Sequence, residues 1–487
     1  MKFYVATAIP YVNDKPHLGH ALLHLYADVL ARYHRQLGEQ VLFSAGTDEH
    51  GGKVAEAAQK AGLPPKQFVD QVSVQFREGL KKLNISNDRF IRTTDSGHEQ
   101  RAQLIWRTLA KDIYKKAYVG MYCVGCEEFK NEAYVKKTKG ICPLHNRPYE
   151  KVEEENYFFT LSKYTAKVKQ VIETDQYKIV PASRKNEIMA VINEGLQDIS
   201  VSRPKNKIPW GIPVPGDDTQ TMYVWFEALM NYITVIGYPE HADFKTYWPA
   251  DVQVIGKDIL RFHAAIWPGM LLALGISVPK MLYVHGFVTS GGKKMSKTLG
   301  NVVDPLEIVE KYGVDAFRYF FLRHIPSYSD GDFTWELFEA AYNSELADQL
   351  GNAVSRTAAM ITKYQNGIIG NTPPPQHDIA PFQQAMLSCR FDKALELVWE
   401  QVKGLNQYID EAKPWEIANP PAGGRDEEHL REVLANLVAN LLEIAGLLVP
   451  FMPETAAKIQ SVFSTGILKP LPSSLFPKNE AASASAI

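Results

Sequence analysis

Apolar residues mark out this chain before any chemistry does. Phe3-Tyr4-Val5-Ala6 is a short continuous apolar run, and beyond the turn that follows it Leu18, Leu22, Leu25, Val29 and Tyr33 recur at a spacing of three or four. The first pattern predicts a buried strand and the second predicts one face of a long helix. A strand feeding a helix through a turn opens a doubly wound parallel sheet, in which ligands collect above the carboxyl ends of the strands. Further strands are expected at Gln40 to Ser44, Arg89 to Thr94, Val252 to Ile255 and Met281 to His285, with helices after Pro64-Pro65 and from near Ser96. Such alternation implies a parallel sheet.

From about Tyr118 to Pro209 the pattern breaks into short strands, turns and many Lys and Glu residues, which predicts an inserted domain. After the polar stretch Ser327 to Thr334 helical periodicity takes over, with loops at Pro373-Pro374-Pro375 and Pro420 to Gly424. Leu434 to Met452 is the most apolar late stretch, but Asn436, Asn440 and Glu443 interrupt it, so it reads as a buried helix rather than a membrane span. The expected organisation is a Rossmann-type α/β catalytic domain in two halves, 1–117 and 210–285, around an insert at 118–209. A linking segment at 286–345, an α-helical bundle at 346–468 and a tail at 469–487 follow. Within the tail Leu475-Phe476-Pro477 is expected to dock on the body, and the small-residue end to be disordered.

At 487 residues the chain has room for two to four domains of roughly 150 residues each. A formal net charge of -2 excludes a generally basic, nucleic-acid-coating protein, so any RNA partner must be met by local patches. The run Phe3 to Ile9 is too short for a signal peptide. Three of the four cysteines are clustered, which suits a reducing compartment better than a disulfide framework. Cys389, without a partner, is expected to be a packed helix residue.

The candidate chemistry sits at the ends of these elements. The turn before the first helix holds Tyr11 and the quartet His17-Leu18-Gly19-His20. Gly19 permits close approach of a nucleotide, and the two imidazoles, three residues apart at a helix start, can donate to one anionic group. Gly46-Thr47-Asp48-Glu49-His50-Gly51 should face the same cleft from the end of the second strand. Gly291-Gly292-Lys293-Lys294-Met295-Ser296-Lys297-Thr298 is a cationic loop suited to closing over a triphosphate. Taken singly, these segments also fit a polar helix start and a solvated basic turn; their pairing carries the weight. Cys123-x2-Cys126 and Cys142-x2-His145 have the spacing of a closed tetrahedral zinc site.

In order and context, His17 to His20 and Lys294 to Thr298 resemble the HIGH and KMSKS signatures of the class I aminoacyl-tRNA synthetases. The resemblance covers essentially the whole chain. It narrows to the methionyl-tRNA synthetase family on Ala8-Ile9-Pro10-Tyr11, Gly46 to Gly51, Tyr223-Val224-Trp225, Gly256-Lys257-Asp258 and Lys413-Pro414-Trp415. It implies adenylation of methionine by ATP, then transfer to methionine tRNA, initiator and elongator alike. It also implies one structural Zn2+, held by Cys123, Cys126, Cys142 and His145, and Mg2+ accompanying ATP. A cytoplasmic monomer with no membrane or DNA partner is expected. Among residues, the resemblance implies that His17, His20, Lys294 and Lys297 stabilise the transition state, and that Gly19, Gly256 and Asp258 join the lysines in binding ATP. Asp48 would take the substrate ammonium, with Ala8, Ile9, Tyr11, Trp225, Ala228, Tyr232, His263 and Trp267 around the side chain. Asn352, Arg356 and Trp415 would read the anticodon, unstacked bases being recognised by aromatic and amide or guanidinium contacts. The alternatives are core packing for the aromatics, a surface charge for Arg356 and a buried anchor for Trp415. Two departures stand out: Thr298 replaces the final Ser of the signature, and Glu227 stands where the family usually has Asp.

Overall fold

The computed structural model describes residues 1–487 apart from 127, 131, 296–301, 375–376, 421–423, 425, 472–473 and 479–487. Six strands form the central sheet: β1 (Lys2–Thr7), β2 (Gln40–Thr47), β3 (Arg89–Arg92), β4 (Lys178–Val180), β5 (Val252–Gly256) and β6 (Met281–His285). They lie in the order β3-β2-β1-β5-β6-β4, with every neighbouring pair parallel. The order reverses between β1 and β5, and a crevice opens at such a switch point. Helix α1 (Leu18–Gln36) leads away from β1, and all five positions of its apolar stripe are buried.

Two strands differ from the sequence expectation. β2 runs on through Gly46 and Thr47, because that glycine lets neighbouring backbones meet: a Cβ at Gly46 would lie 2.3 Å from the carbonyl oxygen of Ile91 in β3. β4 falls inside the segment expected to be inserted, yet it pairs with β6 from Met281↔Lys178 to Tyr283↔Val180. Three residues between two helices are too few to show a period, and β6 supplies their register. The antiparallel sheet beside the core comprises strands Ile113–Cys123, Glu128–Lys130, Glu150–Phe159 and Ile199–Ser200.

From Trp335 onward the named elements are all helices. Helix Glu427–Leu448 buries Leu434, Leu437, Val438, Leu441, Ile444 and Leu448, as its interrupted pattern predicts, and packs on helices Phe391–Ala412 and Pro453–Phe463. Among the described residues no helix is long and apolar enough to cross a membrane. Cys389 is buried but not helical: it turns the chain with φ 54° after helix Ala380–Leu387, its Sγ 3.9 Å from Met281 Sδ. Phe476 is buried and Tyr342 donates its hydroxyl proton to the Pro477 carbonyl at 2.9 Å, so this part of the tail docks as expected. The end expected to be disordered, 479–487, lies outside the described residues.

One of the contacts between sheet domain and bundle is made by a buried guanidinium. Arg318, in helix Val314–Arg323, is fully buried and faces Asp28 of α1 at 2.7 Å. It also donates to the carbonyls of Phe451 (2.7 Å), Pro450 (3.0 Å), Asn84 (3.3 Å) and Leu83 (3.4 Å).

Candidate active site

His17 caps α1, its Nδ1 accepting the Gly19 N–H at 3.1 Å. The His17 N–H in turn donates to His20 Nδ1 at 3.4 Å. With both Nδ1 atoms accepting, each neutral ring carries its proton on Nε2 and presents that N–H as a donor. The rings stack at 3.7 Å, and a Cβ on Gly19 would lie 3.0 Å from the His17 ring, so the glycine makes room for the stack. Burial, reinforced by His17 and His24 nearby, holds the His20 imidazole well below its ordinary range, so it stays neutral. A cavity of about 340 Å3 adjoins these rings, lined also by His24, Phe76, Leu80 and Leu306.

β5 delivers Gly256 to the same edge, and a Cβ there would come within 2.8 Å of Asp258 Oδ1. Asp258 is near enough to act electrostatically on both His17 and His285. The cationic loop begins as a hairpin, Val288–Ser290 against Lys293–Lys294. Gly291 and Gly292 make its two-residue turn at φ 60° and 71°, the left-handed geometry such a turn requires. The backbone of Lys294 belongs to this hairpin, whereas Ser296, Lys297 and Thr298 lie outside the described residues.

Asp48 leaves β2 with its side chain buried, its N–H bonded to the Pro10 carbonyl (2.8 Å) and its own carbonyl to the Val12 N–H (3.1 Å). Tyr11, bridged to Asp48, meets the Trp225 ring edge-on at 6.2 Å. Trp225 meets His263 at 6.4 Å, also edge-on. His263 donates from Nδ1 to the Ile259 carbonyl at 3.0 Å, which leaves Nε2 to accept the Tyr232 hydroxyl proton at 2.7 Å. Burial brings the His263 pKa to about 4, so this pair is neutral. Trp267 packs 5.9 Å from Tyr232, Ile9 lies against Gly46, and Ala8 and Ala228 are buried. The structure thus joins the expected side-chain residues into one aromatic wall beside a carboxylate. Tyr11 and Trp225 keep exposed surface, while Tyr232 and Trp267 are closed off.

Where the antiparallel sheet's strand Ile113–Cys123 ends, Cys123 meets Cys126, Cys142 and His145 from the adjoining turns, and the four place one donor atom each within 4.8 Å of one another. The Cys126–Cys142, Cys126–His145 and Cys142–His145 separations are 3.6, 3.5 and 3.6 Å. An ion with thiolates at about 2.3 Å and an imidazole nitrogen at about 2.0–2.1 Å would set tetrahedral edges of about 3.5–3.8 Å. The donor set therefore fits one metal ion with all four positions filled. A Cβ at Gly125 would strike the His145 ring at 2.4 Å, so this knuckle needs its glycine.

Asn352 and Arg356 are four apart on helix Asn352–Gln365 and so share a face. The Arg356 guanidinium sits 5.7 Å from the Trp415 ring centroid and is paired with Asp410 at 2.9 Å. Trp415 is 37% exposed, which argues against a buried anchor.

A family model described as tRNA synthetases class I (M) matches residues 3–151 and 144–358. The chain is 44% identical over 476 residues to the methionine–tRNA ligase of Caldanaerobacter subterraneus subsp. tengcongensis, covering 94% of this chain and 73% of that one. This chain belongs to the methionyl-tRNA synthetase family of class I. The methionine–tRNA ligase of Streptomyces coelicolor is 41% identical over 481 residues, 94% of this chain and 88% of that one. A solved structure of Mycobacterium tuberculosis methionyl-tRNA synthetase in complex with methionyl-adenylate superposes with a TM-score of 0.90 at 35% identity, covering 98% and 99% of the two chains. The apo form of that synthetase gives a TM-score of 0.84 at 32% identity, covering 98% of each chain.

Two features of this methionyl-tRNA synthetase fold escaped the sequence reading. Phe262 stacks on Trp225 at 3.9 Å, and its only sequence signal is that it precedes His263. Glu227, noted above only as a departure, is fully buried between His50 Nδ1 (2.9 Å) and His98 Nε2 (2.8 Å). Burial alone would lower the His50 pKa, but the charge and hydrogen bond of Glu227, helped by Glu99 and Asp48, raise it to about 10. His50 is therefore a cation set against a buried carboxylate.

Proposed function

We propose that, as a methionine–tRNA ligase, this chain carries out both steps of charging from the crevice between β1 and β5. In the first, a methionine carboxylate oxygen attacks the α-phosphorus of ATP and pyrophosphate leaves. In the second, a terminal ribose hydroxyl of methionine tRNA attacks the adenylate carbonyl and AMP leaves. The observation that carries this reading is the junction of Asp48 with the wall of Tyr11, Trp225, Tyr232, His263 and Trp267. Asp48 pairs with the substrate ammonium, and the ring edges meet a polarizable thioether favourably. The Nε2–H donors of His17 and His20 serve the phosphate oxygens as charge develops, joined by Lys294 and Lys297. Removing one such donor typically costs about 10²–10³ in rate. No covalent enzyme intermediate is needed, so positioning and electrostatics supply the acceleration. Gly19, Gly256 and Asp258 hold the nucleoside, and Mg2+ arrives with ATP.

Zn2+ is the ion that best suits the Cys123, Cys126, Cys142 and His145 cluster, where it supplies a structural cross-link. Asn352, Arg356 and Trp415 take the anticodon of initiator and elongator methionine tRNA. We place the protein in the cytoplasm as a monomer. The test is amino-acid-dependent ATP–pyrophosphate exchange across all twenty amino acids, in which methionine alone is expected to support efficient exchange. Comparable exchange with leucine or isoleucine would refute the assignment. Norleucine should be discriminated only weakly, since one methylene in place of sulfur is worth no more than about 1–3 kcal/mol.

A further inference from the structure

Three segments that carry the methionine-facing residues are tied together by one buried carboxylate. Glu227 lies in the short helix Val224–Ala228, on the same turn as Trp225 and Ala228. His50, which donates to its Oε1, stands two residues beyond Asp48. His98, which donates to its Oε2, is bonded through Nδ1 to Thr234 Oγ1 at 2.8 Å, and Thr234 belongs to the helical turn Asn231–Thr234 that carries Tyr232. We propose that Glu227 is a positioning residue for methionine: with His50 and His98 it fixes the gap between Asp48 and the wall of Trp225, Ala228 and Tyr232.

The proposal rests on the assignment of that pocket to methionine. The Glu227 head group is bonded to the two histidines, and it acts through them. Its charge matters as well as its reach. His50 is nearly closed to solvent, with Glu227 on one side, Glu99 Oε1 at 3.6 Å, Asp48 nearby and the Trp210 ring at 5.5 Å. A His50 cation kept by Glu227 sits close enough to Asp48 to interact with it electrostatically, so the field at that carboxylate changes when His50 loses its charge. Sequence separations of 177 and 129 residues between the bonded partners make this a device of the fold rather than of a motif.

Glu227→Gln keeps the size and removes the charge. In methionine-dependent ATP–pyrophosphate exchange it should raise the methionine KM about tenfold while leaving the ATP KM and kcat within about twofold. Because the raised His50 pKa depends on Glu227, the wild-type methionine KM should be flat between pH 6 and 9. That of the variant should worsen as pH rises through neutrality and His50 loses its proton. His98→Gln, which releases the carboxylate from the other side, should raise the methionine KM selectively too. A methionine KM within twofold of wild type in both variants across that range would overturn the proposal. So would a joint fall in kcat, both KM-derived affinities and melting temperature. Wild-type protein lacking methionine-dependent exchange would instead defeat the pocket assignment, and that control comes first.

Discussion

Replacing Trp415 by alanine separates RNA recognition from chemistry. The ring is 37% exposed, and the short helix that carries it, Pro414–Ala418, is anchored by burial of Pro414 and Ala418. Truncation removes the cation–π contact with Arg356, worth about 0.5–1 kcal/mol at an exposed site. Arg356 keeps its partner Asp410, so no charge is stranded. Adding the apolar surface that the partly covered ring buries, the stability cost should be about 1–3 kcal/mol, against about 3–5 kcal/mol for truncating a buried tryptophan such as Trp399. If an anticodon base stacks on the ring, a further loss of about 1–3 kcal/mol falls on tRNA engagement. That lowers kcat/KM for charging by roughly five- to a hundred-and-fifty-fold. Pyrophosphate exchange, which needs no tRNA, should be almost unchanged. Both reactions and the melting temperature are to be measured on one preparation. A parallel fall of exchange and stability would return Trp415 to a structural role, and unchanged charging would remove it from the RNA interface.

His20→Ala and Lys297→Ala should each slow adenylate formation by about 10²-fold or more with methionine binding nearly intact; normal single-turnover adenylation in either variant would exclude that residue from the transition state. Elemental analysis should find one zinc per chain, and Cys126→Ser should lose it, with the antiparallel sheet losing order before the central sheet unfolds; zinc retained by the variant would refute the ligand set. Burial lowers the His24 pKa from 6.5 to about 3, so between those values the unfolded chain binds a proton that the folded chain refuses. Stability should accordingly fall as pH drops from about 6.5 toward 3, and His24→Gln should flatten that decline in urea titrations at pH 7 and 4.5; an unaltered slope would show that another group governs it.

What could be read from the sequence was what is local. β1 and α1 announce themselves because their apolar positions follow the period of the element. The Cys123 to His145 cluster does so because metal ligands must come in closely spaced pairs. Asp48, Trp225 and His263 came from likeness to family motifs, and their mutual contacts came from the fold. Three features were hidden for separate reasons. Gly46 reads as a breaker although β2 requires it, β4 is too short to show periodicity, and Cys389 occupies a left-handed turn that no helical pattern excludes. The partners of Glu227 lie too far along the chain for any spacing rule to connect them.

Arg318 also governs how the molecule comes apart. Its guanidinium is the shared neighbour of α1 through Asp28, of the Leu83-Asn84 turn and of the Pro450-Phe451 turn that closes the last helical pair. Drawing α1 away leaves the guanidinium charge unpaired in a dry interior, a cost of about 3–5 kcal/mol when a buried ion pair loses one member, and drawing either turn away leaves a buried donor without its carbonyl, at about 1–3 kcal/mol. That cost is relieved only when water reaches the remaining segments too. The junction between sheet and bundle is therefore a cooperative seam: denaturant midpoints reported from the two sides should coincide, and cutting the chain there should yield two fragments that fold together or not at all.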